Sequence, residues 1–200
     1  MNKLYLLIIF FISTFLSAQE VSQSLITEIY DQVKTPFKYG LVLAPTDNSH
    51  KMDCPTVFRK GDKWYMTFVI YNGKTGTDGR GYETWMAESN DLLHWNIKGR
   101  ILSYRDGMWD SNQRGGFPAL PDMSWGGNYE LQPYKGKYWM TYIGGPTAGY
   151  EAGPLSIGLA CTNKNNLGKA IEWQSGKEPI LSVKDKDAQW FENLIQYKST

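Results

Sequence analysis

Histidine and cysteine are almost missing from this chain, with two of each among 200 residues. His50 and His94 have no Cys or second His at metal-ligand spacing, which excludes a zinc motif. Cys54 and Cys161 are too few for a disulfide framework. They would pair in an oxidising compartment or stay reduced as buried thiols, and both lie in strand-like runs. An excess of one charge is also lacking: 21 Lys and Arg face 20 Asp and Glu, a formal net charge of +1. With no basic stripe, nucleic acid is excluded as the expected partner. No glycine-rich phosphate loop and no nucleophile elbow occurs. Beyond Leu16 no long hydrophobic run follows.

The one such run opens the chain. Lys3 precedes Leu4–Leu16, which is apolar apart from Tyr5, Ser13 and Thr14, and Ser17-Ala18-Gln19 supplies small residues after it. This pattern predicts a signal peptide over residues 1–18, a secreted or periplasmic protein, and no stable membrane insertion after cleavage; an uncleaved anchor is the alternative. Residues 19–45 form a lead-in, with weak helical periodicity over Val21–Thr35 that Pro36 and Gly40 end.

What the sequence has in plenty is aromatic: 8 Trp, 13 Tyr and 8 Phe. Many recur in a repeat. Val57-Phe58-Arg59-Lys60-Gly61-Asp62-Lys63-Trp64-Tyr65-Met66-Thr67-Phe68 matches Gln132-Pro133-Tyr134-Lys135-Gly136-Lys137-Tyr138-Trp139-Met140-Thr141-Tyr142, each a strand, a Lys-Gly turn and a second strand. Thr84–Asn90 then parallels Ile157–Asn163, Leu93-His94-Trp95 parallels Ile171-Glu172-Trp173, and Ile101-Leu102 parallels Ile180-Leu181. Four short strands recurring as a unit predict an all-β fold, a β-propeller, with blade one at about 53–102, blade two at about 129–181 and the start of blade three at about 190–200. Two and a half four-stranded blades make an incomplete propeller over residues 46–200. A β-sandwich is the rival architecture.

The corner Ala87-Glu88-Ser89-Asn90-Asp91-Leu92-Leu93-His94-Trp95, and the strand Asp53-Cys54-Pro55-Thr56-Val57-Phe58 followed by Gly61 and Trp64-Tyr65-Met66, carry a resemblance. They look like the blade corner and blade-opening strand of five-bladed glycoside hydrolases of families 43, 32 and 130. The resemblance covers about residues 40–200. Family 43 enzymes usually place Asp directly before Pro, whereas Cys54 intervenes here. The resemblance implies a glycosidase of family 43 type acting on an oligosaccharide or polysaccharide. It implies no cofactor; an axial calcium occurs in some such propellers, but no ligands for one stand out.

Glycoside cleavage needs two carboxyl groups flanking the bond. Five residues before Phe58 stands Asp53, and five before Tyr197 stands Glu192; five before Tyr134 stands Tyr129, with Glu130 beside it. The resemblance makes Asp53 the base or nucleophile, Glu192 the acid and Glu130 an auxiliary carboxylate, with Asp110 and Asp122 competing for that third role. Glu83, Glu88 and Glu151 read as solvated or loop residues. Acids at strand starts also cap loop backbones, which is the plainer reading of each one alone. The long segment 103–128 is rich in Trp, Asn, Arg, Asp and Gly, suitable for sugar rings and hydroxyls. Trp109, Asp110, Arg114 and Trp125 are therefore candidate substrate contacts, and His50, three residues before Asp53, a candidate pocket residue. The alternative for Trp109 and Trp125 is a plug between blades. A sugar-binding propeller without catalysis, and an inactive fragment, are the alternative functions.

Overall fold

The computed structural model describes residues 21–34, 40–45, 50–73, 79–191 and 195. The expected signal peptide and the acid Glu192 lie outside them. The protein forms two compact units, residues 1–40 and 41–200.

The first unit contributes helix α1 (Gln23–Val33), which falls inside the predicted periodic stretch. Ser22 caps it, its Oγ accepting the Leu25 N–H at 3.3 Å. Leu25, Ile26, Ile29, Tyr30 and Val33 are all exposed.

The second unit is all-β, two antiparallel sheets, each wound in sequence order. The first holds β1 (Lys51–Lys60), β2 (Lys63–Tyr71), β3 (Tyr82–Ser89) and β4 (Asn96–Leu102). The second holds β5 (Gln113–Pro118), β6 (Lys137–Gly145), β7 (Ser156–Asn163), β8 (Gln174–Ser175) and β9 (Leu181–Ser182), the last two both pairing with β7. A sandwich of the immunoglobulin kind passes strands between its sheets, whereas these two meander, as blades do.

The repeat located β2, β3, β6 and β7 to within three residues at each end. It misplaced the opening strand of the second sheet, which is Gln113–Pro118 and not the stretch from 129. Gln113-Arg-Gly-Gly-Phe-Pro lacks alternating apolar residues, so no period-two signal marks it. Its place comes from close approach. A Cβ on Gly116 would collide with the Met140 sulfur and lie 3.0 Å from Leu102. The buried Thr84 hydroxyl ties the sheets together, donating to the Arg114 carbonyl at 2.7 Å and accepting the Gly116 N–H at 2.8 Å.

The Lys-Gly turns are real. Lys135 and Gly136 both have positive φ, 48° and 77°, the geometry of a tight hairpin turn. The pairing beyond it stops at Tyr134–Lys137. From there back to residue 119 the polypeptide leaves its own sheet and straps onto the end of β1. Arg59 N–H donates to the Tyr129 carbonyl at 2.8 Å, and Leu131 N–H to the Arg59 carbonyl at 2.9 Å.

The main core lies between the sheets, with Phe58, Tyr65, Met86, Ile101 and Leu102 from one meeting Leu131, Tyr138, Met140, Tyr142, Ala160 and Trp173. Neither Cys54 nor Cys161 is in a disulfide.

The Asp-Leu-Leu-His-Trp corner serves the fold. Asp91 accepts the N–H groups of Leu93 and His94 at 2.9 and 2.8 Å, and its other oxygen lies 2.7 Å from His94 Nδ1. The His94 side chain, then the His94 and Leu93 amides, hold the Asp91 carboxyl well below the usual range. A carboxyl depressed in the folded state adds stability above its unfolded pKa, and the gain is lost as pH falls through the folded one. Asp91→Ala should therefore lower the melting temperature at neutral pH. The gap to wild type should close as pH drops below the ordinary carboxylate range, which melts at stepped pH would check.

Candidate active site

Asp53 lies on β1 where the ladder to β2 slips between Asp53 and Thr56. The bulge arises because Cys54 takes a left-handed backbone, φ 53°, and Pro55 follows with no N–H for the ladder. This is the structural counterpart of the residue intervening between Asp and Pro. The Asp53 carboxylate is exposed, and its Oδ1 accepts the Cys54 N–H at 2.6 Å. His50 is half-buried three residues upstream.

Beside this bulge stands a group of aromatic side chains from three elements. Val69 and Tyr71 end β2, Tyr82 opens β3, and Cys54 packs on them. Tyr150, from the loop between β6 and β7, meets Tyr71 and Tyr82 edge to face, with ring centroids 5.6 and 5.4 Å apart. Burial, then the hydrogen bond to Tyr150, then the negative charges of Glu151 and Asp53, drive the Tyr82 hydroxyl far above its ordinary pKa. Tyr82 is thus a neutral hydroxyl at any working pH, placed within electrostatic reach of two carboxylates.

Glu151 sits in a loop that the second sheet pins. Its N–H donates to Gln113 Oε1 at 3.2 Å, and Gln113 is wholly buried at the start of β5. The Gln113 Nε2 has no hydrogen-bond partner among the described residues. Glu151 itself has φ 47°, a left-handed conformation uncommon outside glycine. Cys54, the neighbour of Asp53, and Glu151 itself thus both stand where the backbone is sparsely populated, the kind of position that persists where surrounding structure enforces it. A Cβ on Gly81 would lie 2.6–3.0 Å from Asn112, Gln113 and Gly149, so this glycine lets the three segments converge. Sequence reasoning passed over Glu151 as a loop residue. The available signal was an acid framed by Gly149, Gly153 and Pro154 in a loop.

Glu130 does not join this site. It accepts from Lys60 Nζ and the Gly61 N–H, each at 3.3 Å, at the hairpin that ends β1. Asp53 lies near the opposite end of that strand, about seven residues or roughly 23 Å away at the rise of a β-strand. The expectation failed because Tyr129 and Glu130 belong to the strap and not to a blade-opening strand.

Asp110 and Arg114, expected at the substrate surface, are completely buried instead. Asp110 accepts from Arg105 Nε and Nη2 at 3.0 and 2.7 Å and from the Tyr142 hydroxyl at 2.8 Å. Arg114 Nε lies 3.1 Å from Asp110 Oδ2, an ion-pair contact without hydrogen-bond alignment. Arg114 also donates to the Ser103 carbonyl and to Glu172, each at 2.5 Å, and to the Ser175 hydroxyl. Its guanidinium lies 5.2 Å from the Tyr142 ring centroid. Burial and then Asp110 push the Tyr142 hydroxyl up to about 12. Trp109 is half-buried and stacks on Tyr142 at 5.6 Å. The three residues are brought together, but as an interior lock between the loop from 103 and the second sheet. Asn112 continues it, its N–H donating to the Gly145 carbonyl at 3.0 Å and its side-chain amide to the Pro146 carbonyl at 2.5 Å. The lock thereby fixes the root of the loop that carries Tyr150 and Glu151.

Trp125 is set apart from all of these, fully exposed at 105% on the strap. Next to Asp53, an open cleft of about 360 Å³ runs between β1 and β5, lined by Cys54, Pro55, Thr56, Phe117, Pro118, Pro121 and Met123. Among the described residues, no three His, Cys, Asp or Glu side chains converge to hold a metal.

Two solved structures match this arrangement over 90% of the sequence at 68% identity and a TM-score of 0.80. One is described as a complex of BT0996 with RGII, the other as a glycoside hydrolase. The protein is similar to glycoside hydrolases of the five-bladed propeller type. It spans about half the length of these relatives, 51% of each. Zg3597, a family 117 glycoside hydrolase produced by the marine bacterium Zobellia galactanivorans, matches 73% of this sequence and 43% of its own at 14% identity and a TM-score of 0.50, a likeness of fold alone. No family model and no curated protein matches the sequence. The glycoside hydrolase likeness thus holds at the general level, and nothing in these relatives supports family 43 in particular.

Proposed function

We propose that this polypeptide forms part of a secreted glycosidase that acts on an oligosaccharide, with Asp53 and Glu151 as its paired carboxylates. The observation that carries this is that the buried tyrosine group beside the Asp53 bulge, in which Tyr82 meets Tyr150, the neighbour of Glu151, feels the charge of both acids at the Tyr82 hydroxyl. Asp53, exposed on a bulge and oriented by the Cys54 N–H, has the position of a base or nucleophile. Glu151, half-buried beside Tyr150, has the position of the acid that protonates the leaving oxygen. Glu192 remains a rival for the acid, from the repeat. The relative's complex with RGII supports an oligosaccharide substrate, and the pattern over residues 3–18 supports export.

A sugar-binding protein without catalysis is the second reading. It is favoured by the Asp53 oxygen that is already engaged with its own backbone and by the absence of Glu130 from the site. Incubating the protein with RGII oligosaccharide and following released sugar by chromatography separates the two. Release supports the glycosidase; binding without release, at protein concentrations near that of the substrate, overturns it.

A further inference from the structure

Two loops reach the site from different sheets, and one side chain spans the gap between them. The first loop joins β2 to β3, and its ends close on each other. The Asn72 N–H donates to the Gly81 carbonyl at 3.4 Å, and the Arg80 N–H to Asn72 Oδ1 at 2.7 Å. Tyr71 and Tyr82, which flank those ends, belong to the aromatic group that packs on Cys54 beside Asp53. The second loop joins β6 to β7 and carries Tyr150 and Glu151. Between the two loops runs the segment 104–112, and the Arg80 guanidinium enters it. Its Nε donates to Asn112 Oδ1 at 2.8 Å, and its Nη2 to Asp106 Oδ1 at 2.5 Å and to the Ser111 carbonyl. The guanidinium also lies 4.4 Å from the Tyr104 ring centroid, and the Tyr104 hydroxyl donates back to the Gly81 carbonyl at 2.7 Å. Asn112 passes the connection on, its side-chain amide donating to the Pro146 carbonyl at 2.5 Å. Two hydrogen bonds in series thus join Arg80, on the loop beside Asp53, to the first residue after β6, where the Glu151 loop begins.

Each link needs its residue type. An amide accepts from the guanidinium with its oxygen and donates to a carbonyl with its nitrogen, whereas Asp at 112 would set a second acceptor against the Pro146 carbonyl. A guanidinium is a flat fork whose donors point in several directions while its face lies on an aromatic ring; an ammonium is a point charge that does neither. The ion pair with Asp106 is the weakest part, because Asp106 is 87% exposed and solvent screens it. Among the described residues the Arg80 guanidinium bonds to Asp106, Ser111 and Asn112, and neither Asp53 nor Glu151 accepts from it.

We infer that Arg80 is a positioning residue, which acts through Asn112 to fix the spacing between the carboxylate on β1 and the carboxylate on the β6–β7 loop. This rests on the reading of Asp53 and Glu151 as the paired acids. The separation of such a pair decides whether water fits beside the scissile bond or the second carboxylate attacks it directly. A brace between the two loops therefore bears on the reaction without touching substrate.

The test uses Arg80→Ala, which removes the brace, Arg80→Lys, which keeps the charge but not the fork, and Asn112→Asp, which breaks the second link with Arg80 in place. Amide exchange over residues 146–155, read by mass spectrometry, should speed up by about tenfold in all three, since the loop opens more easily, while β6 and β7 keep their wild-type protection. On RGII oligosaccharide kcat should fall by about 10–100-fold with KM within about twofold of wild type, the mark of a small misplacement of groups that act in the transition state. Guanidinium chloride at ~20 mM, far below denaturing concentrations, should restore part of kcat to Arg80→Ala, and urea at the same concentration should not. Unchanged exchange over residues 146–155 overturns the inference whether or not sugar is released. So does a kcat within about twofold of wild type in both Arg80 variants, or a raised KM with kcat intact, which would make Arg80 a substrate contact. A loss that guanidinium does not restore, and that follows a lowered melting temperature in all three variants, overturns it too, since Arg80 would then serve general stability. Failure of the glycosidase reading is a different result: wild type releases no sugar, while exchange over residues 146–155 still responds to Arg80.

Discussion

Asp110→Ala should destabilise this protein by about 3–5 kcal/mol, the largest single effect expected outside the carboxylates. The loss comes from what remains. Arg114 would keep its charge with no exposed surface and with only the partly exposed Glu172 carboxylate to offset it, and the Tyr142 hydroxyl would lose its acceptor. Arg105 would suffer less, because its side chain is 22% exposed and also donates to the Gly176 carbonyl. Against a total stability of about 5–15 kcal/mol for a domain, such a loss leaves little margin. Asp110→Asn keeps the shape and part of the hydrogen bonding, so its cost should be smaller. Removing both charges, Asp110→Ala with Arg114→Met, should recover part of the stability lost by Asp110→Ala alone, since the buried guanidinium that lost Asp110 would no longer have to be accommodated. Urea unfolding followed by tryptophan fluorescence measures all three. An Asp110→Ala protein within about 1 kcal/mol of wild type would show that the interior lock contributes little.

The distinction between these interior polar residues and true surface contacts was not available from residue types. Trp, Asp and Arg close together suit a sugar subsite and a buried ion-pair lock equally well, and only burial separates them. Trp109, Asp110 and Arg114 went to the lock; Trp125, of the same composition class, went to the surface. The fold was more legible. The strands β2, β3, β6 and β7 announced themselves through the repeat, and their turns through Lys-Gly and Ser-Asn-Asp. Strand β5 did not, because it is held by glycines pressed against Met140 and Leu102, a tertiary contact with no local pattern. That one missing strand moved the opening of the second sheet and with it the position of Glu130. Asp53 could be singled out as a candidate because its strand follows the repeat. The proposed Glu151 could not, because it belongs to a loop whose conformation depends on Gln113, thirty-eight residues earlier.

The carboxylates give the other large effect. Asp53→Asn and Glu151→Gln should each lower the rate on RGII oligosaccharide by about 10²–10⁴-fold, the range for loss of a positioned acid or base. Both swaps preserve size, and neither residue is fully buried, so melting temperatures should move little. The kinetic constants should divide in a definite way. If each group acts in the transition state, kcat falls while KM stays near its wild-type value; if Asp53 only binds substrate, KM rises instead. Glu192→Gln decides between the rival acids, since only one group protonates the leaving oxygen: one of Glu151 and Glu192 should abolish turnover when changed and the other should leave most of it. An aryl glycoside with a good leaving group adds a second criterion. It needs little protonation, so the variant of the true acid should recover rate on it, whereas Asp53→Asn should not. Tyr82→Phe makes the link to the surrounding structure. Its hydroxyl feels both charges, so its removal should cost far less than either carboxylate while shifting the pH profile. Full activity in Glu151→Gln, together with loss in Glu192→Gln, would return the acid to the position that the repeat assigned and leave Glu151 as a residue that shapes the loop.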